Sequence, residues 1–225
     1  MSLAFGTEVA LAAWGTIVGL DLVSAPQAML SRPLVAGAIA GVIAQDVEAG
    51  LRVGVVLELF ALDVLPIGAV RYPDFGPATV AAVALAANAP WEMSLGVSAA
   101  LALVLAVLGG WAMQLVRRAN ARAIQRHAAA LAAGETRAIR GLQYAALLRD
   151  AGRSLGLTVL GLVVAAWAAS YLRPDRLTAL TLTLVALGAG VAAAVGGAVR
   201  GAGHGRRLQW LGAGLAVGTL AALLR

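Results

Sequence analysis

The stretch Leu95–Val116, LGVSAALALVLAVLGGWAMQLV, runs without a single charged side chain. A helix of roughly 20 apolar residues is long enough to cross the hydrocarbon core of a bilayer. Three further stretches have the same character: Leu155–Leu172, Leu177–Val199 and Leu208–Leu224. These four stretches predict membrane-spanning helices.

The composition of the whole chain agrees with this prediction. Of its 225 residues 61% are apolar and 12% charged, which is too much apolar surface for a soluble domain of this size to bury. The run Val9–Leu20 is shorter, but no basic region precedes it and no cleavage site leads into a soluble domain, so we interpret it as a retained helix. The fold class predicted is all-α, a polytopic membrane protein. The absence of cysteine excludes a disulfide, a thiolate metal site and a phosphocysteine.

The charges are distributed unevenly along the chain. Residues 1–100 hold three arginines against eight carboxylates, whereas residues 101–225 hold fourteen arginines against three carboxylates. All basic residues are arginine, which we attribute to a GC-rich genome, so the high isoelectric point is not an argument for nucleic acid as a partner. Eight arginines fall within Arg117–Arg153, and the positive-inside rule places that segment in the cytoplasm. Counting the spans from there places the carboxyl terminus outside.

The basic segment has two interpretations that the sequence leaves open. It is a solvated face, or it is a docking surface for a cytoplasmic partner or anionic lipid. Its first part, Arg117–Ala133, is rich in alanine and arginine and predicts a helix at the membrane surface, which Gly134 ends. The predicted regions are thus 1–113, a membrane region with broken helices; 114–154, a basic cytoplasmic loop with an amphipathic helix; and 155–225, three further spans.

The amino-terminal half has short, interrupted apolar runs. Leu34–Ala44, Val53–Leu62 and Val64–Val70 are each too short to cross the membrane alone. Broken helices at membrane depth are tolerated where they are buried in protein or line a polar cavity, and they often mark the binding site of a transporter. We therefore expect the substrate path within residues 20–95, with short broken or re-entrant helices.

A few polar residues interrupt these runs. Glu58 is flanked on both sides by apolar residues, and a carboxylate at that depth is costly unless it is paired, protonated or hydrated. It is either a substrate ligand or a buried side chain bonded to a neighbouring helix. Asp21 ends the first apolar run and either binds substrate or caps the next element. Gln27 follows it, and Arg32 is either part of the site or an interfacial side chain with its head in water.

Carboxylates and amides suit the recognition of sugar hydroxyls, because both accept hydrogen bonds and the amide also donates. The histidines, His127 and His204, lie in arginine-rich segments without ligand-like spacing, so we expect neither a metal site nor any cofactor. No phosphate-binding glycine motif of a nucleotide-driven pump occurs in the sequence. The pairs Gly109-Gly110 and Gly196-Gly197 predict points of close helix packing.

From Ser31-Arg32-Pro33-Leu34-Val35-Ala36-Gly37 onward the chain resembles the C subunits of mannose/sorbose-type phosphotransferase systems. The likeness continues through Gly41–Gly54 and Leu57-Glu58-Leu59 to Pro66-Ile67-Gly68-Ala69, and it covers residues 20–90. A weaker likeness returns at Leu147–Arg153.

The resemblance implies a multi-pass inner-membrane permease that forms a complex with a D subunit, in trimers of C–D pairs. In such systems an elevator-like domain moves the sugar, and cytoplasmic A and B subunits carry the phosphoryl group, so this chain is not catalytic by itself. The resemblance also implies a sugar site at the following residues: Gln27, Glu58, Pro66, Gly68, Asp21 and Asp63.

Three positions depart from the mannose branch of that family. Pro66 stands where an asparagine is usual before the Ile-Gly-Ala turn, Gln45-Asp46 replaces a Gly-Asp pair, and the polar segment Arg71–Asp74 replaces small apolar residues. The identity of the sugar is therefore left open. A sensor or assembly protein derived from the same fold is the alternative to a transport subunit. An enzyme acting alone is disfavoured, since no nucleophile–base pair is apparent.

Overall fold

The computed structural model describes residues 3–64, 70–89 and 94–202, together with 209, 210, 212–214 and 217. Within these residues the chain is helical and contains no strand, which confirms the all-α class. The helices are α1 (Phe5–Asp21), α2 (Pro33–Ile43), α3 (Val47–Ala61), α4 (Phe75–Asn88), α5 (Leu95–Arg126), α6 (Ala128–Ala132), α7 (Thr136–Tyr171) and α8 (Arg176–Ala202).

Three of the described helices, α5, α7 and α8, are long and apolar enough to cross a membrane. They contain three of the four predicted spans, while the fourth, Leu208–Leu224, lies outside the described residues apart from isolated positions.

Between α7 and α8 the carboxylate of Asp175 accepts a hydrogen bond from the Thr178 N–H at 2.7 Å. The two hydrogen bonds that it makes with Thr178 lower the pKa of Asp175.

Helix α5 continues from the apolar stretch into the basic segment as far as Arg126. The expectation that Arg117–Ala133 is helical is met by α5 and α6, and its position at the membrane surface stays a prediction. The stretch after Val116 has no glycine or proline, and alanine and arginine are both strong helix formers, so nothing stops the spanning helix. The predicted break at Gly134 is confirmed, because this residue has a φ of +73° and separates α6 from α7.

The amino-terminal half is built from short helices around a buried centre. Helices α2 and α3 form an antiparallel hairpin, and α3 begins earlier than predicted because the Asp46 carboxylate accepts a hydrogen bond from the Ala49 N–H at 2.9 Å. The hydropathy pattern does not predict α4. This helix is buried from Phe75 to Leu85 and packs against α1, α2, α3, α5 and α7.

Glycines allow the two arms of the hairpin to touch backbone to backbone. A Cβ at Gly37 would lie 2.6 Å from the Gly50 carbonyl oxygen, and one at Gly41 would lie 3.0 Å from the Gly50 Cα. The predicted packing role of Gly109 is confirmed in the same way, since a Cβ there would lie 2.7 Å from side-chain atoms of Asp74 and Leu157. Gly197 packs closely against Asp63, whereas the nearest neighbour of Gly196 is the side chain of Arg200.

We expect Gly37→Val to destabilise the protein by about 1–3 kcal/mol or more, because overfilling a closed interface forces the backbones apart. The matched control is Gly152→Ala in α7, where a Cβ would meet no atom within 4 Å. That change is expected to be neutral or to stabilise the helix by about 0.5–1 kcal/mol. Thermal unfolding of the purified protein in detergent measures both, and equal midpoints for the two variants would contradict the close packing.

Candidate functional site

A cavity of about 530 Å³ opens where α1 and α3 end and α2 and α4 begin; we call it the hairpin cavity. The polar and aromatic side chains that line it include Asp21, Gln27, Ser31, Arg32, Tyr72 and Phe75. It lies within the predicted path of residues 20–95. Its size falls in the range of small-molecule sites in proteins, about 300–1,000 Å³.

The loop between α1 and α2 forms one wall of the cavity, and Asp21 gives that loop its shape. The carboxylate of Asp21 is buried and accepts hydrogen bonds from the backbone N–H groups of Ala28 at 2.6 Å and Ser31 at 2.9 Å. Within this loop Gln27 and Met29 have left-handed φ values of 60° and 61°. Both carboxylate oxygens of Asp21 are thus engaged in holding the backbone that presents Gln27 to the cavity.

Asp21→Asn is expected to destabilise this loop, because asparagine keeps one acceptor oxygen and turns an N–H donor toward the second backbone N–H. The cost of a buried donor without an acceptor is about 1–3 kcal/mol. Limited proteolysis of residues 22–31 in the purified complex should be faster in the variant than in the wild type. Equal cleavage rates would mean that the Asp21 carboxylate does not hold the loop.

Arg32 and Glu58 form an ion pair at the mouth of the hairpin between α2 and α3. Glu58 also accepts a hydrogen bond from the Leu34 N–H at 3.1 Å. The Arg32 side chain is 35% exposed and lines the hairpin cavity. The Glu58 side chain is 21% exposed and does not line it. Glu58 therefore has a cationic partner, and Arg32 is the group of the pair that faces the cavity.

Of the other predicted site residues, one does not line this cavity and two lie outside the described residues. Asp63 forms an ion pair with Arg200 of α8 and does not line the cavity. Pro66 and Gly68 lie outside the described residues. Val64, which precedes that segment, does line the cavity.

A buried charged cluster beside the cavity was not predicted from the sequence. The guanidinium of Arg153 on α7 forms ion pairs with Asp74 at the start of α4 and, at 2.8 Å, with Asp150. The three side chains are at most 4% exposed. Arg153 also donates to the Gly19 carbonyl of α1 at 3.2 Å, and Ser24 donates to Asp150 at 2.5 Å.

Through this cluster α7 is joined to the start of α4 at Asp74 and to α1 at the Gly19 carbonyl. Ser24 joins it to the loop that lines the cavity. Two carboxylates share one guanidinium, so each depends on Arg153 for its compensating charge. The only sequence signal was the charged string Arg149-Asp150 followed by Arg153 directly before a span. Within the described part of the chain, no three histidine, cysteine, aspartate or glutamate side chains come together as a metal site would require.

The architecture and the cavity together define a class of protein: an integral membrane protein with a polar cavity between broken helices, as in transporters. A family model described as the sorbose-specific IIC component of the PTS system matches residues 6–200. The chain belongs to this family of phosphotransferase-system membrane components. It is thus a membrane component of a sugar phosphotransferase transport system.

Two solved structures have the same fold. One, described only as a membrane protein, has a TM-score of 0.78 and 22% identity, with 99% of this chain and 96% of the other covered. The mannose transporter ManYZ, in complex with microcin E492, has a TM-score of 0.63 and 21% identity, with 100% and 96% covered. A search of curated proteins finds no match.

Proposed function

We propose that this chain is the sugar-translocating subunit of a phosphoenolpyruvate-dependent phosphotransferase system. It moves a sugar inward, and a partner B subunit phosphorylates that sugar on the cytoplasmic side. A membrane D subunit completes the transport complex, which is a trimer of C–D pairs. The observation that carries the proposal is the hairpin cavity, whose lining combines a carboxylate, an amide and a guanidinium at the ends of broken helices.

The roles proposed for the site residues follow from their positions. Gln27 and Arg32 bind sugar hydroxyls directly, since both line the cavity and carry several donors. Glu58 orients Arg32 from behind the cavity wall, where its two oxygens accept hydrogen bonds from Arg32 and the Leu34 N–H. Asp21 shapes the wall, and by family resemblance Pro66 and Gly68 also belong to the sugar site. Asp63 does not line the cavity, and its ion pair with Arg200 ties the end of α3 to α8.

The transport function is tested with cells that express all subunits of the system. Uptake and phosphorylation of labelled D-glucose, D-mannose, D-fructose, L-sorbose and D-glucosamine are measured. Transport of at least one sugar is expected. If the assembled complex takes up none of them, the sensor or assembly alternative is favoured instead.

Gln27→Gly tests the site without straining the backbone, because glycine readily adopts the left-handed φ of this position. Loss of one neutral hydrogen bond costs about 0.5–1.5 kcal/mol, so sugar affinity should fall by roughly twofold to tenfold.

The matched control for this change is Gln45→Gly. Gln45 has a φ of 61° at the turn between α2 and α3, and it does not line the hairpin cavity. Its replacement is expected to leave uptake unchanged. An equal loss in both variants would count against a sugar contact at Gln27.

A further inference from the structure

A second cavity, of about 570 Å³, adjoins the hairpin cavity on the side of the basic segment; we call it the inner cavity. It lies between the first loop, α5 and α7. The residues that give it its chemistry are Ser24, Gln27, Tyr72, Arg117, Asn120 and Asp150.

The two cavities share a wall. Leu22, Gln27 and Tyr72 line both of them. Tyr72 is only 6% exposed, and its hydroxyl accepts a hydrogen bond from Arg117 at 2.9 Å. The same guanidinium donates to the Val70 carbonyl at 3.1 Å and lies over the Tyr72 ring. An arginine at the inner end of the α5 span therefore holds the side chain that separates one cavity from the other.

The lining of the inner cavity suits an uncharged polyhydroxyl compound better than an anion. Asn120 supplies an amide, Ser24 a hydroxyl and Asp150 a carboxylate. Asp150 is held in place by Arg153 at 2.8 Å and Ser24 at 2.5 Å. The guanidinium of Arg117 is engaged by the Tyr72 hydroxyl and the Val70 carbonyl, and the lining holds one carboxylate beside this one arginine, so it is not the cationic cluster that recognises phosphate.

We propose that the inner cavity is a second sugar subsite. The sugar occupies it after leaving the hairpin cavity and before release at the basic end, and Gln27 and Tyr72 form the barrier between the two positions. This inference rests on the proposed transport function and adds to it a second binding position and the residues that separate the two.

The chain contains no cysteine, so single introduced cysteines can be followed without background labelling of this subunit. Ser31→Cys reports on the hairpin cavity and Asn120→Cys on the inner cavity, because each residue lines only one of them. Ala121→Cys is the matched control, since this exposed neighbour on the same helix lines neither cavity.

The three variants are assembled with all partner subunits in inverted membrane vesicles. They are labelled with the membrane-impermeant reagent sulfonatoethyl methanethiosulfonate, and this subunit is then purified to read the label. The protecting compound is the sugar of the panel above that the wild-type complex takes up fastest.

At a sugar concentration ten times its Kd, labelling of both Ser31→Cys and Asn120→Cys should slow, by about twofold each if one bound sugar divides its time equally between the two cavities. Labelling of Ala121→Cys should not change. Protection of Ser31→Cys alone would overturn the inner subsite while leaving the transport function intact. Protection of neither cavity reporter would overturn both the subsite and the proposed sugar cavity, and equal protection of Ala121→Cys would overturn the subsite as well.

The barrier is tested in the same vesicles without sugar. Tyr72→Ala should make Ser31→Cys react faster with the reagent, because the shared wall is removed. Arg117→Gln leaves the Tyr72 side chain in place but removes the guanidinium that donates to its hydroxyl and to the Val70 carbonyl. This variant should raise the labelling rate of Ser31→Cys by a smaller amount. Unchanged labelling rates in both variants would overturn the role of Tyr72 as a barrier.

Discussion

Replacing Arg153 with methionine is expected to prevent the folded protein from accumulating in the membrane. The change leaves the carboxylates of Asp74 and Asp150 buried without a compensating charge, and removing one partner of a buried ion pair costs about 3–5 kcal/mol. That is a large share of the roughly 5–15 kcal/mol by which proteins are usually stable. The amount of monodisperse complex extracted in detergent, with its unfolding temperature, measures the effect.

Arg149→Met is the matched control for this experiment. Arg149 lies one turn earlier on α7, is exposed and donates to Asn120 at 2.9 Å. Its loss should change little. The triple variant Arg153→Met, Asp74→Asn, Asp150→Asn removes all three charges and should recover much of the lost yield. A single Arg153→Met variant as stable as Arg149→Met would show that the cluster does not hold α1, α4 and α7 together.

Glu58→Gln is expected to weaken sugar binding and uptake by roughly tenfold to a hundredfold. The glutamine keeps the size of the side chain and one acceptor oxygen but loses the charge that holds the Arg32 guanidinium in place at the cavity. Hydrogen bonds to charged groups contribute about 1.5–3 kcal/mol, which corresponds to that loss. Uptake is measured beside the amount of assembled complex.

A double variant, Arg32→Met with Glu58→Leu, separates sugar binding from a purely structural role. If the pair only joins α2 to α3, removing both side chains leaves no unpaired charge and frees only the Leu34 N–H at the start of α2, so uptake should return close to the wild-type level. If the pair binds sugar, the double variant remains as deficient as Glu58→Gln. Glu48→Gln, which breaks the exposed pair with Arg52 at the other end of α3, should leave uptake unchanged.

The spanning helices could be predicted because lipid imposes a simple rule on length and hydropathy. Helix α4 could not be predicted in this way, because it is surrounded by other helices rather than by lipid. Its 14 residues therefore need not match the bilayer thickness. The start of α3 depends on a single capping contact from Asp46, which a hydropathy run beginning at Val53 does not reveal.

Two of the site residues proposed from the sequence, Asp21 and Gln27, line the hairpin cavity, whereas Glu58 does not. Their part in binding sugar stays a prediction. Arg32 belongs to the same cavity, and the sequence alone does not separate this role from that of an interfacial side chain. The Arg153 cluster joins side chains 79 residues apart, Arg153 and Asp74, and no local pattern in the sequence connects them.

The extension of α5 beyond its last apolar residues has an electrostatic consequence. At 1.5 Å per residue, Arg126 lies about 14 Å farther along the helix than Arg117. The Debye length at physiological ionic strength is about 8 Å, so for a helix near the membrane normal the attraction of anionic headgroups falls to roughly a fifth over that distance. In that orientation lipid charge acts on Arg117, at the start of the basic segment. Arg126 responds mainly to the charge of soluble molecules in the surrounding solution.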